Sequence, residues 1–95
     1  MIPGDAKIRK NPQVVYRDLE DGQGGVLLHL ESGQYHGLNR IGTVIWSLID
    51  GTRTQADVQA ELRARADDPP QHLEEDVARF LEGLHERNLI VVASD

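Results

Sequence analysis

Two spacings of apolar residues divide this chain. Up to Leu38 they fall in short runs rich in valine, leucine and tyrosine, separated by glycine-bearing turns, and beyond it they recur at helical intervals. Val14-Val15-Tyr16-Arg17-Asp18-Leu19 reads as a strand, Asp21-Gly22-Gln23-Gly24-Gly25 as a turn or short loop, and Val26-Leu27-Leu28-His29-Leu30 as a second strand. Gln34-Tyr35-His36-Gly37-Leu38 follows as a third. With Glu31-Ser32-Gly33-Gln34 as a two-residue hairpin turn and Gly33 at positive φ, Leu30 stands opposite Tyr35, His29 opposite His36, Leu28 opposite Gly37 and Leu27 opposite Leu38. A longer turn changes these pairs. One face carries Val26, Leu28, Leu30 and Tyr35, and the other Leu27, His29, His36 and Leu38. Neither face is polar, so the sheet needs cover on one side and has room for a partner on the other. Residues 1–13, polar and holding Pro3 and Pro12, read as a flexible N-terminal arm, leaving a single domain over residues 14–95.

The second half predicts three helices. Asn39 caps a helix from Arg40 to Asp50, with Gly51 just past its end, and Ile41, Val44, Ile45, Leu48 and Ile49 form its apolar stripe. Trp46 lies off the centre of that stripe and seals a second contact. Thr54 with Asp57 three residues on resembles a capping box, opening a helix to about Ala66 that turns Val58 and Leu62 inward. Asp67-Asp68-Pro69-Pro70 breaks the chain. The third helix, from about Gln71 to Asn88, carries Leu73, Val77, Phe80, Leu81 and Leu84 on one face, with Asn88 ending it in the left-handed region. Leu89-Ile90-Val91-Val92 is a short extended segment packing back on the core. The order predicts an α+β domain of winged helix-turn-helix-like architecture, a three-stranded antiparallel sheet followed by three helices.

Composition narrows what such a domain does. At 95 residues there is one core, no apolar run approaches a membrane span, and the first residues lack a secretory pattern. The absence of cysteine removes disulfides and thiolate chemistry, and a cytoplasmic location is the default. A net charge of −6 disfavours nucleic acid. Winged helices that read DNA place a basic helix in the groove, but residues 71–88 hold five acids and two arginines, a net of −3. Catalytic motifs are lacking: Gly22-Gln23-Gly24-Gly25 has no Lys-Ser/Thr after it and lies between strands. His29 and His36, facing across the hairpin, are two metal ligands at most, with no third in view, and read better as semi-exposed surface. Glu74, Glu75 and Asp76 suit a helix N-terminus better than acid–base catalysis. Neither cofactor nor metal is expected.

Tyr35-x-x-Leu38-Asn39-x-x-Gly42-x-x-Ile45-Trp46-x-Leu48-x-Asp50-Gly51-x-x-Thr54, together with Asp76-Val77-x-x-Phe80-Leu81-x-x-Leu84-x-x-x-x-Leu89-Ile90, resembles the PqqD-like family, the RiPP recognition elements. Gly33 and Tyr35 ahead of Leu38-Asn39, with Trp46, look more like the stand-alone recognition proteins of lasso-peptide pathways. The resemblance implies a non-catalytic domain that takes the leader of a precursor peptide as an extra strand beside the third strand and brings it to a separate leader peptidase. An unpaired edge supplies main-chain affinity and side-chain pockets supply specificity. On this basis Gln34, Tyr35, His36, Gly37 and Leu38 are the strand-pairing candidates. Asp76, Val77, Arg79, Phe80, Leu81, Gly83 and Leu84 are the helix-side candidates, with Phe80 and Leu84 foremost. The same edge can accept a second copy of the chain. Two alternatives stay open: a carrier in quinone-cofactor synthesis acting with a radical enzyme, and an acidic winged-helix regulator.

Overall fold

Asn39 is both the last residue of a strand and the cap of a helix, and this junction fixes the angle between sheet and helices. In the computed structural model, which describes residues 2, 5–19, 24–66, 68 and 71–93, its side-chain oxygen accepts from the Gly42 amide at 2.7 Å. Strands β1 (Lys7–Lys10), β2 (Val14–Asp18), β3 (Gly24–His29) and β4 (Tyr35–Asn39) precede helices α1 (Arg40–Leu48), α2 (Gln55–Arg65) and α3 (Leu73–Glu86), and β5 (Ile90–Ala93) closes the order. The fold is α+β, with an antiparallel sheet ordered β2-β3-β4 backed by three helices. Leu27 and Leu38 bury the inner face of that sheet against Ile45 and Leu48 of α1, Val58 and Leu62 of α2, and Val77, Leu81 and Leu84 of α3. The predicted Thr54–Asp57 capping box forms reciprocally, and Asn88 takes φ 62 after α3. Among the described residues no helix is long and apolar enough to cross a membrane.

The N-terminal segment departs from the free arm expected for residues 1–13. Lys7–Lys10 pairs antiparallel with Ile90–Ala93 as a separate two-stranded ribbon, placing Ile8 in the core with no exposed surface. Ile2 and Ala6 are buried beside it. The Asn11 side chain donates to the Asn88 carbonyl at 2.7 Å, and its amide donates to the Leu89 carbonyl at 3.1 Å. The folded unit therefore begins well before residue 14. Trp46, buried, finds its second contact here, with the Lys10 ammonium 5.2 Å from its ring centre.

The same ribbon corrects the end of the first helix. The α1 helix stops at Leu48 rather than Asp50, and Ile49 is extended. Asp50 instead organises a turn, accepting from the Thr52 amide (2.9 Å), the Thr52 hydroxyl (2.8 Å) and the Arg53 amide (3.1 Å). These bonds hold its carboxyl below the usual carboxylate range. Gly51, at φ 88, serves this turn and not a helix terminus, its amide donating to the Ile8 carbonyl at 2.9 Å. Ile8 in turn donates to the Arg53 carbonyl at 3.0 Å, so β1 is held on both edges.

The hairpin register differs by two residues from the tight-turn expectation. Tyr35 pairs with Leu28, His36 with Leu27, Gly37 with Val26 and Leu38 with Gly25. The turn is longer: His29 donates to the Gln34 carbonyl at 3.0 Å and accepts from the Gly33 amide at 2.7 Å, with Gly33 at φ 75. A shift of two preserves the side-chain alternation, so the expected faces stand although every partner changes. His29 does not face His36. It is buried, not semi-exposed, and its Nδ1 accepts from the Ser32 amide at 3.3 Å, bracing the longer turn. Residues 21–23 of the preceding loop, and 67, 69 and 70 of the predicted break, lie outside the described residues.

Gly24 marks the tightest approach in the sheet. A side-chain carbon added there would collide with the Leu38 carbonyl, which belongs to backbone and has no rotamer to change. Gly24→Ala is expected to lower stability by ~1–3 kcal/mol, as overpacking does. A urea midpoint equal to that of the wild type would show that β4 yields freely.

Candidate functional site

Among the described residues the outer edge of β4 is the unpaired margin of the three-stranded sheet. The His29–Gln34 bond sets the alternation of an antiparallel ladder, in which every second residue turns its peptide groups toward the neighbour. Gln34, His36 and Leu38 therefore point their N–H and C=O at β3, whereas Tyr35 and Gly37 point theirs outward. Of the five candidates in this strand, two present main-chain groups to an incoming strand. Their side-chain positions lie on the outer face of the sheet, where Tyr35 is 73% exposed and a side chain added at Gly37 would meet nothing within 4 Å. Val15, Leu28 and Tyr35 stand directly opposite one another across that face, an apolar row with exposed ends.

Helix α3 runs beside this edge in the opposite direction. Its Phe80 ring lies against Gly42, just past the end of β4, where an added side-chain carbon would sit 3.1 Å from the ring. About two turns beyond Phe80, Arg87 reaches His36, with guanidinium Nη1 3.5 Å from His36 Nδ1. Between them Gly83 opens onto empty space, with nothing within 4 Å of an added side-chain carbon. Seven residues of helix from Phe80 to Arg87 rise ~10 Å, and three residues of strand from His36 to Asn39 extend ~10 Å. The two walls match in length.

The helix-side candidates separate by depth. Val77, Leu81 and Leu84 are buried in the core, and Leu84, expected to line the groove, is 1% exposed. Phe80 is half-buried, while Asp76 and Arg79 are exposed. Phe80 and Asp76 border an apolar cavity of about 370 Å³ whose floor includes Val77 and Ile45, and whose far wall is Leu62 of α2 with Ala66 just past its end. Ile41 and Gly42 complete its near rim. Sequence reasoning placed Ile41 in the core stripe, yet it is 59% exposed at this rim. Its one available signal was position: in the first turn of a helix, an apolar residue at the margin of the stripe projects past the packed face. Of the far wall Leu62 was legible as an inward residue of the helix, whereas Ala66, which caps its end, gave no signal. Arg63 and Glu74 fix α2 against α3 with two bonds of 2.8 and 2.6 Å, which raise the guanidinium pKa and lower the carboxyl pKa. Gln59 adds a bond to the Glu74 carbonyl at 2.9 Å. Burial and the neighbouring Arg87 both push the His36 pKa down, so its imidazole is neutral at pH 7. Among the described residues no three His, Asp or Glu side chains converge as a metal site would require.

The sequence pattern of coenzyme PQQ synthesis protein D (PqqD) matches residues 24–90, from the first residue of β3 to the first of β5. The chain belongs to the PqqD family. As a PqqD-like recognition element it also has solved structural counterparts. TbiB1 in complex with the TbiA(beta) leader peptide shares 28% identity at a TM-score of 0.76, covering 92% of this chain and 99% of that one. Lasso peptide synthetase B1 complexed with the leader peptide shares 26% identity at 0.74, covering 90% and 99%. The heterocyclase TruD, at 17% identity and a TM-score of 0.66, contains the same fold, with this PqqD-like chain corresponding to 12% of its length. A comparison with curated proteins returns no match.

Proposed function

We propose that this PqqD family member binds the leader segment of a ribosomally made precursor peptide, in a lasso-peptide pathway, by adding it as a strand to β4. The observation that carries the reading is the outward peptide groups of Tyr35 and Gly37 beside the Phe80 groove, with space left open by Gly37 and Gly83. The two leader-bound counterparts, aligned over nearly all of both chains, support it. Main-chain bonds contribute a net ~0.5–1.5 kcal/mol each, and only two residues offer them, so most of the affinity must come from apolar anchors. Phe80 and Ile41 are the side chains placed to receive one. The domain performs no chemistry in this reading; in the cytoplasm it presents the leader to a separate leader peptidase. What supports such a partner is the exposed apolar face around Val15, Leu28 and Tyr35, continuous with the edge where the leader joins.

Fluorescence anisotropy with labelled fragments tiling the precursor peptide encoded beside this protein tests the proposal. One fragment should saturate, and Phe80→Ala should weaken it by ~1–3 kcal/mol through loss of a packed anchor site. Unchanged affinity in a Phe80→Ala variant with native circular dichroism would rule out this groove. The family's description favours a second reading, a carrier in quinone-cofactor synthesis. Co-purification with a radical enzyme in place of a transglutaminase-like peptidase would select it.

A further inference from the structure

We propose that Arg87, braced by His36, is a carboxylate-reading subsite at the far end of the β4–α3 cleft, selecting peptides with an Asp or Glu on the same strand face as the apolar anchor. The inference rests on the peptide-binding reading above and adds a chemical requirement to the ligand.

Arg87 caps the C-terminal end of α3, exposed to solvent, with its backbone N–H bonded to the Gly83 carbonyl at 3.2 Å. Its guanidinium leans over β4 to His36 at 3.5 Å, a long contact to a ring held neutral by its surroundings. A neutral imidazole can accept one N–H but does not offset a charge, and a guanidinium has five N–H donors. Arginines on α2 and in the Asp50 turn are each matched to an acid: Arg53 with Asp50, Arg63 with Glu74, Arg65 with Glu61. No such pair forms for Arg87 among the described residues. In a chain of net charge −6 this exposed cation stands over the strand edge at His36. At the other end of the same wall sits Asp76, beside the anchor cavity. Asp76 thus borders the cavity end of the cleft and Arg87 the Tyr35 end.

A strand laid along it turns alternate side chains toward α3, ~7 Å apart. With an apolar residue in the cavity by Phe80, the residue two or four positions away on the same face comes within reach of Arg87. A carboxylate there forms a charge-assisted bond of the kind that arginine makes well.

The test uses the full-length protein and the tiling fragment that binds. In that fragment each Asp or Glu is replaced in turn by Asn or Gln, and affinities are measured by anisotropy for wild type, Arg87→Ala and Arg87→Glu. One replacement is expected to raise the Kd about three- to tenfold at low salt, the range of a partly exposed ion pair. That loss should vanish in Arg87→Ala, and Arg87→Glu should regain affinity when the same peptide position carries Lys. Wild-type affinity in Arg87→Ala, with Phe80→Ala still impaired, overturns the subsite and leaves the groove standing. Failure of every fragment to bind overturns the peptide-binding reading and the subsite with it.

Discussion

A chain beginning at residue 12 is expected to lose its cooperative thermal transition, although its sequence reads as if only a polar arm had been removed. The segment deleted carries Ile2 and Ile8, both in the core, and all of β1. Loss of a buried Ile side chain costs ~2–5 kcal/mol, so two approach ~4–10 kcal/mol, against ~5–15 kcal/mol for the total stability of a typical domain. The deletion also leaves β5 without a strand partner, the Asp50–Arg53 turn without its bonds to Ile8, and the Asn88 and Leu89 carbonyls without Asn11. Circular dichroism on heating checks this, and Ile8→Ala serves as a milder variant with an expected loss of ~2–5 kcal/mol. A truncated protein melting at the wild-type temperature would show the ribbon to be an accessory of the domain.

Substitution of Gly83 should separate folding from binding. A glycine in a helix interior costs ~0.5–1 kcal/mol relative to alanine, and here nothing within 4 Å opposes a side chain. Gly83→Ala is therefore expected to raise the melting temperature, and Gly83→Leu to fold as well as the wild type. In the cleft the effect reverses. A leucine at this position fills space between Phe80 and Arg87 where the proposed added strand would lie, and leader affinity is expected to fall at least tenfold, ~1.4 kcal/mol. The stability result distinguishes this from misfolding, since a variant that is more stable and binds worse has lost space and not structure. If Gly83→Leu bound the leader fragment as tightly as wild type, the strand would have to lie elsewhere. The glycine would then be a defect in the helix with no use.

Much of this arrangement was legible in the chain. Asn39, Thr54 and Asp57 announce helix starts because a capping side chain acts within three residues of itself, and that spacing is visible in one dimension. The α3 stripe and the two faces of the sheet follow from periodicities of 3.6 and 2, which survive any error in register by an even number of residues. Asn88 in the left-handed region belongs to the same class of local signal.

The rest depended on partners distant in sequence. Lys7-Ile8-Arg9-Lys10 has one apolar residue in four and becomes a strand because Ile90–Ala93, more than 70 residues later, supplies its ladder. Composition carries no trace of that pairing. The hairpin register was set by His29, whose buried ring accepts from Ser32 and lengthens the turn. The Asp50 turn ended α1 early because its backbone had a better use on β1. In the groove, the α3 stripe named Phe80 and Leu84 as equals, and only packing separated them: Leu84 is buried in the core, while Phe80 lies at the open margin against Gly42. Periodicity states which face of an element is apolar. Which part of that face stays open is decided by where the other elements end, and that is a property of the assembled fold.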